Sequence, residues 1–138
     1  MDPRIAAGMS AEVLKAVDQA QAVVAAVYVI PVAGKMGNSM AMADATAALF
    51  ENLLDRAARK TAVIAMGNPY LASDFPKIEN YFCTFSNATV SEVAAVKALF
   101  GEIPIRGRLP VTIPNVAQRG AGLDRPAQVA SGGSIGQN

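Results

Sequence analysis

The stretch "TAVIAM", Thr61–Met66, is almost entirely apolar and shows no alternation with polar residues. A strand buried on both faces of a parallel sheet has this composition. "VVAAVYVI", Val23–Ile30, has the same character, and "YFCTFS", Tyr81–Ser86, is predicted to be a third strand. These three stretches decide the predicted fold class, because each of them requires cover on both of its faces.

Helical patterns separate the predicted strands. Ser10 is a predicted cap for a helix over residues 11–20, and a longer helix is predicted over residues 40–59. "LASDF", residues 71–75, predicts a short helix, and a last helix opens at Thr89 or Ser91 and ends at Gly101. This alternation predicts a doubly wound, flavodoxin-like α/β fold with a mostly parallel sheet and helices on both faces, in three α/β/α layers.

The length and composition are those of one globular domain. The chain has 138 residues, of which 52% are hydrophobic and 17% charged. We predict an α/β domain over residues 1–114 and a Gly/Ser-rich, partly disordered C-terminal tail over residues 115–138.

Charge and residue usage narrow the function classes. The net charge is +1, so no general attraction to nucleic acid or to an anionic membrane is expected. The lack of histidine removes Ser-His-Asp triads and most zinc and iron sites, and one cysteine allows no internal disulfide. No signal peptide or membrane-spanning stretch is predicted, since the longest apolar run, residues 22–34, is too short and contains Pro31. We therefore expect a soluble chain.

The second half of the chain carries specific motifs. A predicted strand leads into Gly-Asn-Pro-Tyr, residues 67–70, and "LFGE", residues 99–102, ends the last helix. "GRLPVTIP", residues 107–114, closes the domain. Together these motifs resemble the end of the C-terminal domain of glycoside hydrolase family 3, in its bacterial β-N-acetylhexosaminidase and β-glucosidase-like branch.

The resemblance implies an accessory role rather than a catalytic one. Enzymes of that family carry the nucleophilic aspartate on an N-terminal (β/α)₈ barrel, and no such barrel fits in 138 residues. The resemblance therefore implies a non-catalytic structural domain of an enzyme that acts on β-linked N-acetylglucosaminides or glucosides. It gives no residue of this chain a catalytic role, and we expect the isolated chain to be inactive.

Candidate sites are few. Asn68 and Tyr70 follow a predicted strand at the edge where α/β proteins bind ligands, so they are candidates for contact with a sugar or with another domain. The loop carboxylates Asp74, Glu79 and Glu102 are not expected to form the pair that glycoside hydrolysis needs. Cys83 lies between aromatic residues and is predicted to be an inert core thiol.

An alternative function uses the loop before the long helix. "GKMGNS", residues 34–39, follows a strand and opens a helix, so it could hold phosphate in a stand-alone flavodoxin-like phosphate- or nucleotide-binding domain. The loop matches neither standard phosphate-binding motif, and no metal or cofactor is expected. As partners we expect a second copy or a missing N-terminal barrel portion, joined through a sheet edge or the helix face of residues 11–20.

Overall fold

A three-stranded parallel sheet forms the centre of the protein. The computed structural model describes residues 3–29 and 44–128. The strands are β1 (Val23–Val29), β2 (Thr61–Gly67) and β3 (Asn80–Cys83), in the order β1-β2-β3. Val23 pairs with Thr61, and Val63 pairs with Tyr81. The predicted α/β fold class with a parallel sheet is confirmed.

Four helices surround the sheet. They are α1 (Pro3–Gln19), α2 (Asp44–Ala57), α3 (Leu71–Asp74) and α4 (Thr89–Leu99), and a 3₁₀ turn, Ala58–Lys60, joins α2 to β2. Helices α1, α2 and α3 cover one face of the sheet, whereas α4 covers the other. No helix within the described residues is long and apolar enough to cross a membrane.

Two element boundaries differ from the sequence-based prediction. Helix α1 begins at Pro3, so Ser10 lies inside it and not at its cap. Proline suits the first position of a helix, and the alanines that follow favour helix, which explains the earlier start. Strand β3 ends at Cys83 and not at Ser86, because Phe85 adopts a left-handed backbone with φ of 57° that cannot continue a strand.

The larger core lies between the sheet and helices α1 to α3. Val17 of α1, Leu53 of α2 and Leu71 of α3 pack there against Val63 and Ala65 of β2. Phe50 of α2 meets Phe75, just after α3, edge to face with ring centroids 4.9 Å apart. This core also receives Leu14, so the apolar side of α1 is packed and does not form a bare face.

The second core is small and covers only part of the sheet. Ile64 and Met66 of β2 pack with Ala95 of α4, and Phe82 and Leu99 complete the cluster. A helix is about 10–12 Å wide and neighbouring strands are about 4.8 Å apart, so one helix covers about two strands. On this side β1 is therefore left open, contrary to the expectation that both faces of every strand are covered.

Lys60 holds the C-terminal end of α1. Its ammonium group donates hydrogen bonds to the carbonyl oxygens of Val17 and Ala20, both at 2.7 Å, and to that of Asp18 at 3.3 Å. The last carbonyls of a helix have no partner within the helix and carry partial negative charge, so a cation there is stabilising. A side chain 40 residues away in sequence from Ala20 therefore fixes where α1 ends.

The last described part of the chain is a long antiparallel ribbon, residues 101–128, whose two legs meet at every fourth residue. Ile105 pairs with Arg125, Leu109 exchanges backbone hydrogen bonds with Gly120 and Ala121, and Ile113 pairs with Ala117. The open end is closed by the Gln128 amide, which donates to the Gly101 carbonyl at 2.8 Å. The ribbon thus begins and ends beside the C-terminus of α4.

The tip of the ribbon is fixed to the body of the domain. Ile113 is 1% exposed, and the Ser73 hydroxyl of α3 donates to the Pro114 carbonyl at 3.1 Å. The domain boundary predicted after Pro114 falls at this tip, and residues 115–128 form the turn and the return leg. Residues 129–138 of the predicted tail lie outside the described residues.

We expect Lys60→Met to lower the free energy of unfolding by about 1–2 kcal/mol, because three carbonyls at the end of α1 lose their cation. Urea unfolding followed by circular dichroism measures the change. Arg59→Met is the matched control, since the Arg59 side chain is 93% exposed and its contact with Glu79 is 4.0 Å long. Equal losses in the two variants would contradict this role of Lys60.

Gly122 is the position where the two legs of the ribbon come closest. A Cβ atom at Gly122 would lie less than 3.0 Å from the carbonyl oxygen of Gly107, whereas a Cβ at Gly107 would meet nothing within 4 Å. We expect Gly122→Ala to cost about 1–3 kcal/mol of stability through this overlap. Gly107→Ala should leave the urea midpoint nearly unchanged, and the reverse order would show that the ribbon is packed differently.

Candidate functional site

The turn that contains Asn68 and Tyr70 lies at the carboxyl end of β2, as predicted. Strand β2 ends at Gly67, whose φ of 107° is a left-handed conformation that glycine adopts without strain. The chain then turns through Asn68 and Pro69 into α3, which begins directly after Tyr70. The turn therefore follows the central strand at the edge where ligands bind in α/β folds.

Hydrogen bonds within the protein hold this turn. The Asn68 side-chain oxygen accepts from the Tyr70 backbone amide at 2.9 Å, and Asn68 is 5% exposed. The Tyr81 hydroxyl of β3 donates to the Pro69 carbonyl at 2.8 Å. A buried amide that caps its own turn is a structural element, so these contacts explain Asn68 without any ligand. Tyr70 is half-buried beside it.

Tyr81 and Cys83 lie on the larger-core side of β3 and are both shielded from water. Burial raises the pKa of the Tyr81 phenol, and the neighbouring Cys83 raises it further. Burial likewise raises the pKa of the Cys83 thiol to about 11, with Tyr81 opposing part of this shift. A raised pKa keeps the thiol protonated at neutral pH, which supports the prediction of an unreactive cysteine.

The loop carboxylates lie in three different places. Asp74 ends α3, Glu79 immediately precedes β3 and lies 4.0 Å from Arg59, and Glu102 follows α4. All three side chains are exposed. No group of three or more acidic or cysteine residues that could hold a metal occurs among the described residues. Nothing in this geometry brings two of these carboxylates to one sugar.

Two residues that the sequence did not single out meet across the second face of the sheet. Tyr28 is near the carboxyl end of β1, and Glu92 is in the first turn of α4. Partial desolvation, and then the hydrogen-bonded Glu92 carboxylate, raise the pKa of the Tyr28 phenol. Tyr28 is the one polar side chain in β1, and this was the available sequence signal.

The glycine-rich loop of the alternative function cannot be placed against these residues. Gly34 to Ser39 lie outside the described residues, so its proposed phosphate contact stays a prediction. The candidate geometry that is described consists of the structural turn after β2 and of the Tyr28–Glu92 contact.

We expect Tyr81→Phe to lower the free energy of unfolding by about 1–2 kcal/mol, because the partly buried Pro69 carbonyl loses its hydrogen-bond donor. Tyr70→Phe serves as the control on the same turn. Thermal unfolding followed by circular dichroism compares the two variants, and a larger loss for Tyr70→Phe would favour a different support for the turn.

We also expect the Cys83 thiol to react slowly in the folded protein. Its pKa of about 11 lowers the thiolate fraction at pH 8 by about a hundredfold relative to a thiol at 9.0. Labelling with a chromogenic disulfide at pH 8, with and without denaturing urea, measures the difference. Equal rates in the two solutions would show that Cys83 is accessible.

The comparisons with known proteins add no family to this geometry. The chain matches no protein-family model, no curated protein and no solved structure at a significant level.

Proposed function

We propose that this chain is a non-catalytic, accessory C-terminal domain of a glycoside hydrolase family 3 enzyme that acts on β-linked N-acetylglucosaminides or glucosides. The observation that carries the proposal is the closing segment, residues 99–114, whose motifs resemble the end of that family's domain. In the structure this segment runs from the end of α4 along the outgoing leg of the ribbon to its buried tip at Ile113.

The arrangement of polar groups supports an accessory role. The turn at Asn68 is satisfied internally, and the loop carboxylates Asp74, Glu79 and Glu102 are dispersed and exposed. The other carboxylate of the ribbon, Asp124, accepts from Arg108 at 2.8 Å. This hydrogen bond lowers the pKa of Asp124, which is the opposite of what a general acid at a glycosidic bond requires.

In the proposed enzyme the catalytic groups reside on an N-terminal barrel, and this domain packs against it and helps to shape the sugar site. Tyr70, half-buried at the carboxyl edge of the sheet, is the residue that we propose for contact with a sugar or with the barrel. The catalytic chemistry therefore requires no residue of this chain.

A domain replacement tests the proposal. Residues 3–128 are joined to the barrel of a family 3 β-N-acetylhexosaminidase in place of that enzyme's own C-terminal domain, and hydrolysis of nitrophenyl β-N-acetylglucosaminide and β-glucoside is measured. We expect activity above that of the barrel alone. A chimera that is no more active than the barrel alone would refute the proposal.

The isolated chain provides the complementary measurement. We expect no turnover of either nitrophenyl glycoside, even at high protein concentration, because no described carboxylate pair faces one substrate position. Turnover that is lost in Asp74→Asn, Glu79→Gln or Glu102→Gln would place catalysis in this chain and contradict the accessory role. Turnover that is equal in the wild type and all three variants would not come from these carboxylates.

A further inference from the structure

Helix α4 is apolar around its whole circumference, although only one side of it is covered. Ala95 and Leu99 face the sheet, and its charged residues are Glu92 and Lys97. The remaining large apolar side chains of α4 and of the residue after it are exposed: Val90, Val93, Val96 and Phe100. A helix that is apolar on all sides is normally buried on all sides. The outer side of α4 therefore lacks a partner within the described residues.

A second uncovered apolar surface lies directly beside it. On the α4 side of the sheet, β1 presents Val24, Ala26 and Tyr28, with Val24 51% exposed and Tyr28 57% exposed. The hydrogen bond between Tyr28 and Glu92 shows which flank of α4 borders β1. Val96 is one turn after Glu92 and so lies on that same flank.

These two surfaces form a step, with β1 as its floor and the flank of α4 as its wall. Helices that lie side by side on a sheet are about 10 Å apart, so one further helix next to α4 would rest over β1. Such a helix must be apolar towards β1 and also towards α4. The described part of the chain contains one helix with exposed apolar residues on these sides, and it is α4 itself.

We propose that the step is filled by α4 of a second copy of this chain. A two-fold rotation places the two α4 helices side by side in one layer between two sheets. Each α4 then covers β1 of the other copy, so that one contact satisfies both surfaces in both copies, as an isologous interface does. The inference is independent of the proposed glycosidase role.

Surface area and charge agree with this occupant. Five of the exposed residues are Val or large aromatic residues, with Phe100 70% exposed, and together they offer several hundred Å² of apolar surface, the size of an interaction patch. A standard interface buries about 800 Å² per partner, which this patch approaches once its polar rim is included. Strand β1 carries no charge, Glu92 is engaged by Tyr28, and the long stem of Lys97 lets its ammonium reach the rim.

Light scattering on a size-exclusion column tests the proposal with the full chain. At micromolar concentration we expect twice the chain mass of 14.3 kDa. Val93→Glu, on the outer side of α4, should raise the dimer dissociation constant at least about tenfold in sedimentation experiments, because it places a charge in the desolvated centre of the interface. Circular dichroism confirms that the variant is folded.

Val116→Glu is the matched control. Val116 is 48% exposed, as against 49% for Val93, but it lies in the turn of the ribbon. This variant should leave the dissociation constant within about twofold of the wild type, as expected of a surface change outside an interface. If Val93→Glu fails to fold, Phe100→Asp at the more exposed end of α4 takes its place. A monomeric wild type, or a dimer that Val93→Glu does not weaken, would overturn the proposal.

Discussion

Strand β2 is the constraint on which the rest of the structure depends, because it takes part in both cores. Val63 and Ala65 point to α1, α2 and α3, whereas Ile64 and Met66 point to α4. Both sets of side chains are almost fully buried, and burial of each large one contributes about 1.5–3 kcal/mol. Strands β1 and β3 pair with β2 and not with each other. The position of every layer is therefore set by this strand of seven residues.

The two flanking strands depend on β2 to different degrees. Strand β3 is held by pairing, by α4 above Phe82, and by the Tyr81 hydrogen bond to the turn after β2. Strand β1 has the longer ladder with β2, from Val23 to Val29, but its second face has no cover among the described residues. The asymmetry follows from geometry, since one helix is about two strands wide and α4 lies over β2 and β3.

The fold class and the order of elements could be predicted from the sequence, since runs such as Thr61–Met66 specify buried strands by composition alone. The lengths of α1 and β3 could not be predicted as well. The start of α1 is decided by residues before the expected cap, and the end of β3 by the left-handed backbone of Phe85. An apolar strand also does not show whether a helix covers its second face, so the open side of β1 was not predicted.

The candidate site illustrates a similar limit. The position of Asn68 and Tyr70 at the carboxyl end of a strand was read correctly, but the sequence does not show that the Asn68 amide is turned inward to its own turn. The closing segment was read as a strap of alternating apolar residues. Its actual register, with contacts at every fourth residue, depends on the return leg, which lies beyond the quoted motif.

The shape of the ribbon has a mechanical consequence. Because its legs meet at Gly101 and Gln128, tension on the chain after Gln128 acts on the open end of a hairpin. The pairs at Ile105, Leu109 and Ile113 are then loaded one after another, as in the opening of a zipper, and not all at once as in shear. Force is spent on single pairs at the periphery before it reaches the sheet. The ribbon therefore acts as a mechanical fuse that isolates the three-stranded core from a load applied at that end.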